Sequence, residues 1–245
     1  MSRFFVEPDA VSDGRIEITD PDDIKHITKV LRLREGDKLE ISDSTECEYD
    51  VEIESAEPGI VLTRILHKQP FAREPKLRVT LYQGIPKQGK METIIQKCVE
   101  LGVDRIVPVF TERTVVTEKG NFGKKLDRWQ KVADEAVKQC RRGLKPEIAK
   151  PVSFKEAADA FAQYDRVLIP YESEEKLSLK TALRSFEKTP GTLAVIIGPE
   201  GGFSKQEVET AMEKGAYSVT LGKTILRTET AGPAALAMVM YELEL

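Results

Sequence analysis

Residues 192–204 constrain this chain more than any other stretch. Thr192 to Ile197 is a short β-branched and apolar run, followed at once by Gly198-Pro199-Glu200-Gly201-Gly202-Phe203-Ser204. An apolar run ended by glycine reads as a strand buried on both faces of a parallel sheet. Ser204 and Glu207 are spaced as a capping box, and Phe203 and Val208 occupy the two positions of a hydrophobic staple. A helix therefore begins at Ser204, and Gly215 is placed to end it. Gly198, Gly201 and Gly202 let backbone pass close to a ligand or take positive φ, while the helix start leaves free N–H groups there. The spacing predicts strand, binding loop and helix in that order, which is where open α/β sheets bind nucleotide-like ligands.

A second run repeats the arrangement. Tyr217 to Leu221 reads as a short strand broken by Gly222, and Arg227-Thr228-Glu229-Thr230 places a cation, hydroxyls and a carboxylate ahead of an apolar helix. Polar side chains between two buried elements are costly unless they bind something or one another. A capped helix N-terminus accounts for Glu229 but leaves Arg227 without a role. The first loop lacks the Gly-Lys-Ser/Thr ending of a P-loop and is not the G-x-G-x-x-G of a dinucleotide fold. Glu200 would repel a pyrophosphate, yet it tolerates a ligand carrying ammonium and sulfonium charges. A tight strand-to-helix turn with no ligand is the bland alternative.

The character of the chain changes near residue 70. Before it lie short alternating segments at Phe4–Val6, Lys38–Ser42, Tyr49–Ile53 and Ile60–Leu66, with a short helix capped by Asp20 that carries Ile24, Ile27, Val30 and Leu31 on one face. This pattern predicts a small β-barrel over residues 1–70, and Lys68 to Pro75 reads as a linker. From residue 76 to 245 strands alternate with helices. Leu77–Gln83, Arg105–Phe110 and Val167–Ile169 are strands. The helix from Lys90 spaces Met91, Ile94, Ile95, Cys98 and Val99 on one stripe; Leu126, Trp129, Ala133, Ala136, Val137 and Cys140 mark a second helix, and the Ser153/Glu156 capping box opens a third. Repeated βα units predict an α/β fold with a mostly parallel sheet and helices on both faces. Ala234 to Tyr241 is apolar all round, so it belongs in the core or against another subunit.

At 245 residues and 40% hydrophobic content, the chain can bury one large core or two smaller ones. With no signal-like N-terminus and no run of eighteen apolar residues, it is expected to be a soluble cytoplasmic protein with no membrane partner. Cys47, Cys98 and Cys140 are odd in number and far apart, and only His26 and His67 accompany them, so neither a disulfide framework nor a metal site is expected. The net charge of −4 opposes an RNA partner, but positive charge is clustered: Lys25, Lys29, Arg32 and Arg34; Lys138, Arg141, Arg142 and Lys145; and Arg64, Lys68, Arg73, Lys76 and Arg78. Each cluster by itself also reads as a solvated face.

In wording and order the two loops resemble the signature loops of SPOUT-class RNA methyltransferases, and more closely the bacterial family that methylates N3 of a uridine in 16S ribosomal RNA. Further segments match that family in order. They are Arg3-Phe4-Phe5-Val6, His26 through Val30-Leu31-Arg32 to Gly36-Asp37, Gln83 to Lys87, Ile94 to Lys97 with Glu100 to Val103, Glu112 to Val116, Glu135 to Cys140, and Ile169 to Glu172. Arg141-Arg142-Gly143-Leu144 departs from the pattern, since glycine-arginine is more usual after the cysteine. The resemblance implies an N-terminal PUA-like RNA-binding domain and a C-terminal trefoil-knotted domain that binds bent S-adenosyl-L-methionine. The cofactor residues it implies are Leu168, Ile169, Ile197, Gly198, Glu200, Gly201, Gly202, Leu221, Gly222, Ile225, Leu226 and Thr228. It further implies 16S rRNA or the small ribosomal subunit as partner and a homodimer joined through the last helix.

Methylating N3 of uridine requires the imide proton to leave or its developing charge to be stabilised. Arg227 is the candidate to stabilise the uridine oxygens, and Glu229, with Glu200, is the nearest candidate base. Arg3, Lys29, Arg32, Arg34, Arg113, Gln139 and Arg142 are candidates to hold RNA. A non-catalytic RNA-binding module would explain the β-rich domain and the basic clusters but not two ligand loops. An NAD-dependent oxidoreductase would explain the α/β half but lacks its fingerprint.

Overall fold

The computed structural model describes residues 3–71, 73–115 and 122–244; Ala72 of the expected linker and Val116 of the Glu112–Val116 segment lie outside them. The chain forms two compact units, one of residues 1–74 with 137–145 and one of 75–136 with 146–245. No helix among the described residues is long and apolar enough to cross a membrane.

The first unit is a six-stranded sheet of β1 (Arg3–Phe5), β2 (Val11–Ser12), β3 (Arg15–Ile18), β4 (Lys38–Ser42), β5 (Cys47–Glu57) and β6 (Ile60–Pro70). The strands run in the order β1-β4-β5-β6-β3-β2. All pairs are antiparallel except β1 with β4. Alternation places Phe4, Ile16, Ile18, Leu39, Ile41, Val51, Ile53 and Val61 in one core. Helix α1 (Pro21–Lys25) starts at Asp20, whose Oδ1 accepts from the N–H groups of Asp22 and Asp23 at 2.9 Å, a cap of about 1 kcal/mol.

Two local expectations change here. A π-helical turn, His26–Val30, follows α1. Its wider winding carries Val30 off the buried face, leaving it 64% exposed while Ile27 is fully buried. Lys68–Pro70 is not linker, because β6 continues through it in pairing with Cys47–Tyr49 of β5. Arg141 sits at φ +60, a left-handed position that favours glycine.

The second unit holds β7 (Arg78–Gly84), β8 (Arg105–Phe110), β9 (Glu147–Ile148), β10 (Val152–Ser153), β11 (Arg166–Pro170), β12 (Thr192–Ile197) and β13 (Ala216–Val219). Its path is β10-β8-β7-β12-β11-β13, with β9 beside β8, and every pair is parallel. Ala194 and Ile196 of β12 join Tyr82, Val107, Phe203, Val208 and Ala211 in a core on one face; the alternate residues Leu193, Val195 and Ile197 are also buried, so both faces are covered. The helices are α2 (Lys90–Glu100), α3 (Phe122–Cys140, of which residues 137–140 belong to the first unit), α4 (Phe154–Asp159), α5 (Leu179–Arg184), α6 (Lys205–Glu213) and α7 (Thr228–Leu243). Helix α2 buries Met91, Ile94, Ile95, Cys98 and Val99, each contributing about 1.5–3 kcal/mol for a fully buried large apolar side chain and less for the cysteine. The α/β class and the mostly parallel sheet are as the sequence predicts.

Candidate active site at the carboxyl edge of the parallel sheet

Because every strand of the second sheet is parallel, their carboxyl ends share one edge. The order reverses between β7 and β12: β8 and β10 lie to one side, β11 and β13 to the other. A crevice forms outside the strand ends at such a switch point. The loop after β12 keeps its shape through α6, where Ser204 Oγ accepts from the Glu207 N–H at 3.3 Å and the Glu207 carboxylate accepts from the Ser204 N–H at 2.9 Å. Phe203 and Val208 are buried beside this cap, and Gly215, at φ +92, follows the helix end.

A cleft of about 490 Å³ opens between this loop, the loop after β13 and the end of β11. Its lining includes Ile197, Gly198, Glu200, Gly201, Gly202, Leu221, Gly222, Ile225, Leu226, Arg227 and Thr228. Leu168 and Ile169 do not line it; both are fully buried in β11 and support the edge from beneath. Thr228 is buried, and its hydroxyl donates to Gly198 O at 2.7 Å while accepting from Gln83 Nε2 at 2.9 Å. One side chain thus ties β7, the β12 loop and the start of α7 together, and positions the loops. Gly202 sits at φ +66, a left-handed position that favours glycine. A Cβ on Gly84 would fall 2.6 Å from Pro199, so the bare end of β7 seats the loop.

The electrostatics are mixed. Glu172, Glu200, Lys90, Lys223 and Arg227 all line the cleft. Arg227 is exposed, with no ion pair or hydrogen bond from its guanidinium among the described residues. Lys90 Nζ, at the first residue of α2, lies 3.1 Å from Glu200 Oε1 and 3.3 Å from Glu229 Oε2. Partial burial pushes the Glu200 carboxyl up, but its own backbone N–H, Lys90 and the Lys87 N–H outweigh this and hold it below the ordinary carboxylate range. Glu229 is lowered chiefly by its own backbone N–H, against opposing burial, with Lys90 and Arg227 adding to the effect. Both remain ionised near neutral pH and are weak proton acceptors there. Glu229, the candidate base, does not line the cleft, and its carboxylate is paired with Lys90.

The expected RNA contacts divide in two. Lys29, Arg32, Arg34 and Gln139 are exposed. Arg113 is exposed and donates to Gly201 O at 2.8 Å, beside the cleft loop. Arg3 and Arg142 are only 6% and 5% exposed, and their reading as RNA contacts is corrected. Arg3 pairs with Glu48 at 2.7 Å and donates to Arg141 O; Arg142 pairs with Glu74 at 2.8 Å. A buried guanidinium committed to a carboxylate is unavailable to phosphate. Lys90 and Glu172 were missed as site residues. A lysine at the first residue of a helix opposes the helix dipole, and that mismatch is the signal that its partners lie elsewhere.

A family model described as an RNA methyltransferase domain matches residues 73–240, and one described as an RNA methyltransferase PUA domain matches residues 18–66. The ribosomal RNA small subunit methyltransferase E of Bacillus subtilis is 31% identical over 251 residues, covering 100% of this chain and 98% of its own. The chain belongs to the ribosomal RNA small subunit methyltransferase E family. The Aquifex aeolicus member is 36% identical over 217 residues, covering 86% of this chain and 80% of its own. A crystal structure of the Neisseria gonorrhoeae member bound to S-adenosyl methionine is similar at a TM-score of 0.85 and 32% identity, covering 98% of this chain and 97% of that one. Both cleft loops lie inside the matched methyltransferase domain.

Proposed function

We propose that this chain transfers a methyl group from S-adenosyl-L-methionine to N3 of a uridine in 16S rRNA of the small ribosomal subunit. The observation that carries the reading is the convergence of two glycine-bearing loops on one cleft that is built for an amphoteric ligand and not for phosphate. Residues 223–226 line it, and their backbone groups have no backbone partner among the described residues, so they are available to the donor and acceptor edge of a purine. Glu172 and Glu200 suit ammonium and sulfonium charge, while Lys223 suits a carboxylate. The volume falls in the range of small-molecule sites. When bound, the cofactor would supply an electrophilic methyl group.

The chain's own residues then bind and orient. Gly198 to Gly202 and Leu221 to Leu226 hold the ligand by backbone, and Thr228 keeps both loops in register. Arg227 offers a free guanidinium at the cleft to the uridine oxygens, stabilising the imide as its N3 proton leaves. With Glu200 and Glu229 held ionised chiefly by their own backbone N–H groups, and further by Lys90, charge stabilisation at Arg227 contributes more than a carboxylate base. In the first unit, the exposed Lys29, Arg32, Arg34 and Gln139 hold RNA by its phosphates, and Arg113 does so beside the cleft. Reaching N3 requires the uridine to be splayed out of its stack.

The active unit in this reading is a cytoplasmic homodimer. Helix α7 buries Ala235, Leu236, Val239 and Met240, while Ala231, Ala234, Met238 and Tyr241 fall on its other side, Tyr241 being 73% exposed. That apolar stripe suits a two-fold partner. The test is calorimetry with S-adenosylmethionine, S-adenosylhomocysteine and NAD, together with label transfer from methyl-labelled S-adenosylmethionine to small subunits. Binding of the first two and labelled RNA are expected. Binding of NAD alone would favour an oxidoreductase, and RNA binding without transfer a non-catalytic module.

A further inference from the structure

Lys90 is the point where two cofactor loops meet on one charge. Glu200 belongs to the loop after β12, Glu229 to the first turn of α7, and the two carboxylates share a single ammonium contributed by α2. Glu200 is held from a second side by the Lys87 N–H at 3.1 Å. Lys90 and Glu200 both line the cleft, whereas Glu229 does not. The trio carries two negative charges and one positive, a net charge of one negative at this corner of the cleft; without Lys90 the two carboxylates would stand unneutralised.

Resting on the reading of the cleft as an S-adenosylmethionine site, we propose that Lys90 is a positioning and specificity-determining residue. It sets the charge of the cleft, and thereby the discrimination between S-adenosylmethionine and S-adenosylhomocysteine. These ligands differ by one methyl group and by the positive charge on sulfur. In the transfer the N3 proton passes to solvent, the electron pair it leaves on N3 forms the N3–methyl bond as the sulfur–methyl bond breaks, that bonding pair stays on sulfur, and the ligand's sulfonium charge is lost. An unneutralised pair of carboxylates would hold the charged reactant more strongly than the transition state, in which that charge is already fading. Such ground-state binding lowers KM and kcat together. Lys90 prevents this while joining the two loops.

The test compares the ratio of Kd values for S-adenosylhomocysteine and S-adenosylmethionine, measured by calorimetry. Loop loosening weakens both ligands and cancels in the ratio, whereas a change of charge does not. Lys90→Met is expected to shift the ratio toward S-adenosylmethionine by roughly three- to tenfold, the order expected for one unit charge acting across a half-solvated site. The shift should shrink at high salt, and Lys90→Arg, which keeps the charge, should retain the wild-type ratio. Glu229→Gln with Lys90 in place should shift the ratio the opposite way, and it tests the proposal even where Lys90→Met does not fold. A folded Lys90→Met or Glu229→Gln protein with an unchanged ratio overturns the proposal. Failure of both ligands to bind the wild-type chain instead overturns the cofactor reading on which it rests.

Discussion

Replacing Gly202 with valine tests the cofactor loop at the residue where backbone and packing requirements coincide. Gly202 holds φ +66, and its N–H donates to Pro199 O at 3.0 Å to close the turn. A Cβ there would sit 2.9 Å from Glu172 Oε1. The carboxylate is the end of a flexible side chain and can move aside, so the lasting cost is conformational. A left-handed L-residue costs about 1–2 kcal/mol, and a β-branched one lies at the upper end. If the empty loop relieves this strain by changing shape, the cost returns when the ligand requires the original shape. The Kd for S-adenosylhomocysteine should therefore rise roughly 5- to 30-fold. Calorimetry measures it, with Gly59→Val as control: Gly59 has φ +92 in the first unit and open space around it, so it carries a similar backbone cost away from the cleft. Unchanged affinity in a Gly202→Val protein of native circular dichroism would refute the reasoning.

Arg32→Ala with Arg34→Ala should weaken RNA association and flatten the slope of log K against log salt by about 1.4 for a single strand, leaving cofactor affinity as it was; an unchanged slope removes this face from RNA binding. Arg142→Ala should instead lower the melting temperature, because Glu74 loses its buried partner at a cost of roughly 3–5 kcal/mol. Arg141→Gly should raise stability by about 0.5–1 kcal/mol in denaturant titration, the relief of left-handed strain less the entropy of glycine. Light scattering should give twice the chain mass, and Met238→Glu with Tyr241→Glu should give folded monomers. Charges at Val239 or Met240 do not test the dimer, since both side chains are buried within the chain and such changes would unfold it.

What was legible in the sequence was local. The β12 strand, the Ser204 cap and the buried stripe of α2 depend on residues within a few positions of one another, and each forms as its spacing predicts. Val30 leaves the buried face because a π turn breaks the 3.6-residue period that its spacing from Ile27 implies. Asp13 and Gly14, both at positive φ, form the two-residue turn that an Asp-Gly pair favours, but β2 and β3 have two and four residues, too few for alternation to mark the hairpin in the sequence. The glycine loops were legible as a site because glycine, cap and strand end fall together in the chain. The Lys90 clasp and the Arg142–Glu74 pair were not, since each joins residues brought together only by the fold, and charge clustering cannot distinguish a guanidinium facing solvent from one facing a buried carboxylate.

The most direct test of the central claim is nucleoside analysis of 16S rRNA after incubation of small ribosomal subunits, and separately of naked rRNA, with the purified chain and methyl-labelled S-adenosylmethionine. The account predicts label in 3-methyluridine at a single position, strongly reduced in Arg227→Ala. Label in a ribose methyl group, in a different base, or at the wild-type rate in folded Arg227→Ala would contradict it.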